Sequence, residues 1–167
     1  YGKQALPQLL EELNKIENLS WIRIMYAYPT QMTDELIDAI AKLDKVVKYV
    51  DIPLQHSHPD MLKRMKRPVM DYKKLVQKIR DRIPNVSVRT SLIVGYPGET
   101  EEEFEHLYNF VKDVKFDRMG AFEYSREKGT YSDTLKGHLS EKIKKERRNK
   151  LMELQQKISL ENNEKYI

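Results

Sequence analysis

Four short runs rich in β-branched and aromatic residues alternate with long amphipathic stretches, and that order decides most of what this chain can become. The runs are Trp21–Ala27, Val46–Ile52, Val86–Val94 and Arg118–Tyr124. Between them apolar residues recur at helical spacing: Leu36, Ile37, Ile40 and Leu43, then Leu75, Val76 and Ile79, then Phe104, Leu107, Tyr108 and Val111. Thr33-Asp34-Glu35 reads as one helix start, and Thr100 followed by three glutamates as another, with the spacing of a capping box. Strand–helix–strand order implies parallel strands joined by crossover helices, repeating about every 25–40 residues. The sequence is 167 residues long and holds about four such strands, whereas a closed eight-unit barrel takes about 250 residues. It also opens on a helical stripe (Leu6, Leu9, Leu10, Leu13, Ile16) and ends on another, from Leu139 to about Tyr166. The expectation is an α/β fold: a partial TIM-like barrel of parallel βα units with outer helices. It forms a single domain over 1–167 and reads as a piece of a longer enzyme.

Composition narrows the chemistry. There is no cysteine, so neither a disulfide nor a thiolate-held metal can be built from these residues. No apolar run approaches the roughly 18 residues that cross a bilayer, and Tyr1-Gly2-Lys3 is not followed by a signal-peptide core. The net charge of +4 says little, because the charges cluster. Met61 to Arg82 carries nine Lys or Arg against Asp71 and Asp81, and Lys142 to Lys150 is also basic. Such clusters bind phosphate backbones or form solvated helix faces, and the scarcity of aromatic stacking residues there favours the second.

Ligands of parallel β/α folds sit at the carboxyl ends of the strands. Side-chain alternation sets Val50, Ile52 and Leu54 against Asp51 and Gln55, and Val88, Leu92 and Val94 against Arg89, Ser91, Ile93 and Gly95. With the apolar sets toward the helices, Asp51, Gln55, Arg89 and Ser91 face inward. They meet either a polar ligand or one another, as an Arg89–Asp51 pair. Met119, Ala121, Glu123 and Ser125 share a parity whose direction Gly120 and Phe122 leave open. The turn Val94-Gly95-Tyr96-Pro97-Gly98-Glu99-Thr100 hands a strand to a helix with two glycines. It lacks the Lys-Ser/Thr of a nucleotide P-loop, so an adenosine against bare backbone suits it better than a triphosphate, unless it is simply a tight turn. His56, His58 and Asp60 lack a further ligand at zinc spacing. Lys48 falls on the helix side, which argues against a Schiff-base role.

Asp51-Ile52-Pro53-Leu54-Gln55-His56, Met61 through Pro68, and Arg89 through Thr100 closely resemble the methylthiotransferase branch of the radical S-adenosylmethionine (SAM) enzymes. Phe116-Asp117-Arg118-Met119-Gly120-Ala121-Phe122, Tyr124-Ser125, Gly129-Thr130 and Leu151 through Gln156 extend the likeness. Ile52-Pro53-Leu54-Gln55-His56 and Asp117-Arg118-Met119-Gly120 look like the RimO type, which methylthiolates an aspartate of a small-subunit ribosomal protein. They look less like the MiaB type, which modifies an adenosine in tRNA.

The resemblance implies an incomplete barrel, an upstream domain with a second iron–sulfur cluster, an upstream CxxxCxxC strand that holds the SAM-cleaving cluster, and a downstream TRAM domain. It implies SAM and [4Fe–4S] clusters as cofactors, the latter not ligated by this chain. The segment Ser91, Ile93 and Gly95 matches the part that packs on adenine, and Gln55 the place of a ribose or methionyl contact. Arg89, Glu123 and Tyr124 join them as cofactor-binding candidates by parity and position. The implied setting is cytoplasmic and away from membranes, with rRNA or tRNA as further partners for the basic segments. A non-catalytic scaffold holding RNA or ribosomal protein is the reading of a different class. The chain alone, having no thiolate, should take up no [4Fe–4S] cluster on anaerobic reconstitution. Stoichiometric iron and sulfide in the purified chain would contradict this.

Overall fold

The computed structural model describes residues 5–164. The expected end of the last stripe near Tyr166, like Tyr1-Gly2-Lys3, lies outside them. Three parallel strands, β1 (Tyr49–Asp51), β2 (Ser87–Val94) and β3 (Arg118–Glu123), form a sheet in that spatial order. Helices α1 (Leu6–Asn14), α2 (Asp34–Lys42), α3 (Pro59–Arg64), α4 (Tyr72–Arg82), α5 (Glu101–Val114) and α6 (Glu141–Asn163) surround it. No described helix is long and apolar enough to cross a membrane.

The central strand follows the expected alternation throughout. Val88, Thr90, Leu92 and Val94 are buried, while Ser87, Arg89, Ser91 and Ile93 are only half-buried. The buried face meets the apolar stripes of α2, α4 and α5 in one continuous core, where Ile37, Ile79, Leu107 and Phe116 are fully enclosed. Burial of such side chains, worth about 1.5–3 kcal/mol each, is what holds short parallel strands together. On β3, Met119 and Ala121 join that core beside α6, which settles the open parity: Arg118, Gly120 and Phe122 take the opposite face. A β-carbon on Gly120 would press against the Phe122 ring, so the two share that side.

The helix signals also act as read. The Thr33 hydroxyl caps α2 by accepting from Leu36 N–H, and Thr100 and Glu103 form a reciprocal capping box on α5. Lys48 does lie on the helix side, where its ammonium donates to the Ile40 and Leu43 carbonyls at the end of α2. That placement satisfies carbonyls that the helix leaves unpaired. A six-residue helix, α3, has no stripe long enough to announce it; His58 caps it and Lys66, at φ 53°, ends it.

Two expected strands come out shorter. Trp21–Ala27 runs beside β1 but makes only one bridge, Ile22 with Val46. Ile22 and Ile24 pack on the core, Trp21 and Met25 stay exposed, and Tyr26 turns left-handed at φ 57°, which breaks the ladder. In the second run Tyr49 N–H folds back to the Val47 carbonyl, separating that bridge from β1.

Beyond Asp51 the chain makes a bulge. Asp51 pairs with Arg89 and Gln55 with Leu92, so β1 spends one more residue than β2 over the same span. Thr90 fills the gap: its hydroxyl donates to the Ile52 carbonyl at 2.9 Å and accepts Leu54 N–H at 3.3 Å. Pro53, which has no N–H to leave unpaired, sits inside the bulge. Replacing Thr90 by Val should therefore cost about 1–3 kcal/mol, because two buried backbone groups lose their partner. Urea unfolding measures the cost, and faster hydrogen exchange at the Leu54 amide would localise it.

Candidate functional site

The carboxyl ends of β1 and β2 meet at one buried carboxylate. Glu99, at the end of the glycine turn, accepts from Gly95 N–H at 2.7 Å, from His56 Nε2 at 3.2 Å and from Arg147 Nη1 of α6 at 2.5 Å. Arg147 also donates to the Glu99 carbonyl at 3.1 Å and to the Glu101 carboxylate at 2.9 Å. His56 Nδ1 accepts His58 N–H at 3.0 Å, so Nε2 carries the proton that it gives to Glu99. His56 and the Glu99 side chain are fully enclosed, and the Arg147 side chain is 6% exposed.

The Gly95 turn has a firm reason to be glycine. Its φ is 74°, and a β-carbon there would collide with the Lys144 side chain of α6. The bare backbone thus admits a lysine stem on that side, which refines the expectation that its openness serves an adenosine. Tyr96, next in the turn, stacks edge-on against Tyr124 at 5.2 Å, and both pack with Met61.

Other candidates are placed as follows. Arg89 Nη1 donates to Asp51 Oδ2 at 2.8 Å, so of the two arrangements open from sequence the internal pair forms. Asp51 is fully buried, and its Oδ1 has no partner among the described residues. Ser91 and Ile93 lie half-buried on the same face as Arg89, and the Ser91 carbonyl accepts Gln55 N–H. Gln55 is half-buried with φ 68°; it follows the bulge, so simple alternation does not carry through to it. Glu123 shares the parity of Met119 and Ala121 at the end of β3 and is half-buried. Tyr124 is 8% exposed, and its hydroxyl has no partner among the described residues. His138, whose ring lies 6.0 Å from that of Tyr124, has two buried ring nitrogens with no hydrogen-bond partner among the described residues.

Three histidines gather beside this site without making a metal centre. His58 and His106 meet edge to face at 5.1 Å, and His106 Nδ1 lies 3.0 Å from the Ser57 hydroxyl. No group of three or more His, Cys, Asp or Glu among the described residues could hold a metal ion. The basic stretch is largely spoken for. Arg64 holds Glu103, Lys73 holds Asp113, Arg80 meets Asp117, and Lys78 and Arg82 reach Asp34. Lys66 lies over the Tyr131 ring, and Arg67 donates to the Pro53 carbonyl at 2.5 Å. Asp117, in the type-specific Asp-Arg-Met-Gly run, accepts Val88 N–H and so anchors the start of β2 rather than the ligand end. Sequence reasoning missed the convergence of Glu99 and Arg147, 48 residues apart. Its only local sign is an acid placed directly after the glycine turn.

A parallel βα sheet whose strand ends carry a glycine turn and inward polar side chains defines a class, and comparison with known families agrees. Residues 3–111 match the model of the radical SAM superfamily, and the chain belongs to that superfamily. Among curated relatives it is 53% identical over 165 residues to the ribosomal protein uS12 methylthiotransferase RimO of Caldanaerobacter subterraneus subsp. tengcongensis, covering 98% of this chain and 38% of that protein. The protein of the same name from Clostridioides difficile is 50% identical over the whole chain, again covering 38% of its own length. This chain thus spans well under half the length of those relatives. Among solved structures, coproporphyrinogen III oxidase (HemN) from Escherichia coli, a radical SAM enzyme, superposes with a TM-score of 0.64 at 18% identity, covering 89% of this chain and 34% of that one. Elp3 from Methanocaldococcus infernus gives 0.58 at 18% identity, covering 92% and 36%. These two likenesses bear on the fold alone.

Glu103 offers a pH test of the site's frame. Burial pushes its carboxyl up, but Thr100 N–H and the Arg64 guanidinium outweigh that and hold it below the usual 4.5. A depressed carboxylate contributes stability above its unfolded value and loses it as pH falls through the folded one. Glu103→Gln should therefore cost about 1–3 kcal/mol at neutral pH. The gap from the parent should persist through the ordinary glutamate range and close only as pH falls through the lowered folded value, as read by urea unfolding at several pH values.

Proposed function

We propose that this chain is the SAM-pocket portion of a RimO-type methylthiotransferase, which adds a methylthio group to an aspartate of the small-subunit ribosomal protein uS12. The observation that carries the reading is near-50% identity, along essentially the whole chain, to relatives bearing that name. The activity is that of the longer protein, because these residues include no thiolate to hold a cluster.

The residues present fit SAM as a ligand. Asp51 Oδ1 and Tyr124 Oη are buried polar atoms without partners among the described residues, and Arg89, Ser91 and Ile93 open onto the inner face. Orphaned buried oxygens cost free energy unless something satisfies them. Gln55, Arg89, Ser91, Ile93, Gly95 and Tyr124 are the residues proposed to hold the cofactor; Glu123, in register with Val94 and so on the core side of β3, is the candidate that this face does not gather. When bound, one SAM would supply the methyl group and another, cleaved reductively at the cluster, the 5′-deoxyadenosyl group that takes a hydrogen from the substrate. The chain's own part is to orient and enclose it. Ile93 offers apolar surface for the adenine, Gln55 a hydrogen bond at the left-handed strand end, and the Arg89–Asp51 pair a fixed cation on the sheet face.

Phosphate binding by the stretch 61–82 draws little support, since most of its cations already have carboxylate, carbonyl or aromatic partners. A protein acceptor in the cytoplasm fits this better than rRNA or tRNA held by that segment, and better than a non-catalytic RNA scaffold.

Two measurements on the full-length protein test the reading. With dithionite and SAM, purified uS12 should gain one methylthio group on an aspartate while tRNA stays unmodified, by mass spectrometry. Modified tRNA beside untouched uS12 would move the assignment to the MiaB type. Gln55→Ala should weaken SAM binding by about 1–3 kcal/mol with little loss of stability. Unchanged affinity by calorimetry would make Gln55 a strand-end residue only.

A further inference from the structure

We infer that Arg147 is a positioning residue for the cofactor: through Glu99 it sets both strand ends of the SAM pocket from a helix outside it. The inference rests on the proposed pocket and adds to it a control point on α6.

The Glu99 carboxylate serves two pocket residues at once. Oε2 accepts Gly95 N–H at 2.7 Å and so fixes the left-handed turn at φ 74°. Oε1 accepts a hydrogen bond from His56 Nε2 at 3.2 Å, and His56 directly follows Gln55, itself left-handed at φ 68°. Neither strand end can shift without the other while one rigid carboxylate joins them.

That carboxylate is enclosed, and a buried anion needs a buried cation. Arg147 supplies it. Its guanidinium reaches Oε2 and the Glu99 carbonyl with one nitrogen and Glu101 with another, and it lies over the Phe104 ring at 5.2 Å. One α6 turn earlier, the Lys144 stem covers the Gly95 backbone, so α6 grips the turn at two points. Arginine suits this place because a planar fork can serve two acceptors in fixed directions, which an ammonium cannot do as well. Without Arg147 the carboxylate would keep its two weaker donors but lose its counter-charge. It would then draw water or rotate, releasing Gly95 and His56 from their shared geometry.

The test uses the full-length, cluster-loaded protein and reads SAM directly. Arg147→Gln should raise the SAM Kd by calorimetry about tenfold, a scale set by loss of a charge-assisted hydrogen bond. The KM for SAM in reductive cleavage should rise in parallel, while kcat at saturating SAM changes far less. Arg147→Lys should recover part of the affinity. If Arg147→Gln does not fold, the double change Glu99→Gln with Arg147→Met removes both charges at similar volume and should show the same loss of affinity. A lower melting temperature with an unchanged Kd would overturn the inference, since that is what a purely structural ion pair gives. Gln55→Ala, measured alongside, separates the two levels. If it weakens SAM binding while the Arg147 variants do not, the positioning role fails and the pocket stands. If neither weakens it, the pocket assignment fails as well.

Discussion

A single enclosed carboxylate sets the terms for this end of the molecule. Glu99 has no water to fall back on, so each of its neighbours must supply charge or a hydrogen bond, and each comes from a different stretch of chain. The cost of burying such a group is several kcal/mol unless it is matched. Matching it fixes the glycine turn, the residue after the β1 bulge and the first turns of α6 relative to one another. Apolar packing assembles the layers, but it tolerates small slides between them. A buried ion pair with three donors does not, which is why the ligand end has a defined shape although its strands are short.

Much of the layer order is legible in the amino-acid sequence because it depends on near neighbours. The alternation along Ser87–Val94 follows from a period of two, and Thr100 and Glu103 cap α5 within one turn. The resemblance carried by Asp51–His56 and Arg89–Thr100 rests on residues that do sit together at the strand ends. The β1 bulge was hidden, because the hydroxyl that stabilises it belongs to Thr90 on the adjacent strand. Gln55 therefore could not be oriented by counting from Asp51. Arg147 was hidden for a similar reason: in sequence it is one cation among several on a basic helix. Only the fold distinguishes it from its exposed neighbours Lys145 and Arg148.

The basic stretch that spans α3 and α4 shows how composition can mislead about partners. Its density of Lys and Arg resembles a phosphate-binding face. Yet Arg64, Lys73, Arg80 and Arg82 reach acids on α2, α5 and the chain just before β3. These cations tie together helices that the sheet alone would leave free at their outer ends. Individually exposed pairs contribute little, typically 0–1 kcal/mol. Their number here also tells where charge is not available, and the long-range field of this face is correspondingly muted.

Gly98 and Gly137 touch through their backbones, with Gly98 N–H bonded to the Gly137 carbonyl at 2.8 Å, and both are left-handed. A β-carbon at Gly137 would meet the Gly98 backbone at 3.3 Å, whereas one at Gly98 would find open space. The two positions therefore face unequal histories under mutation. Position 98 resists exchange only through its own dihedral strain, and Asn or Asp could enter there at modest cost. Position 137 answers to strain and to a neighbour, so a side chain there would lift the segment after β3 away from the glycine turn. Drift in that segment should run through its exposed beginning, Ser125–Lys128, and spare the point where the two backbones meet.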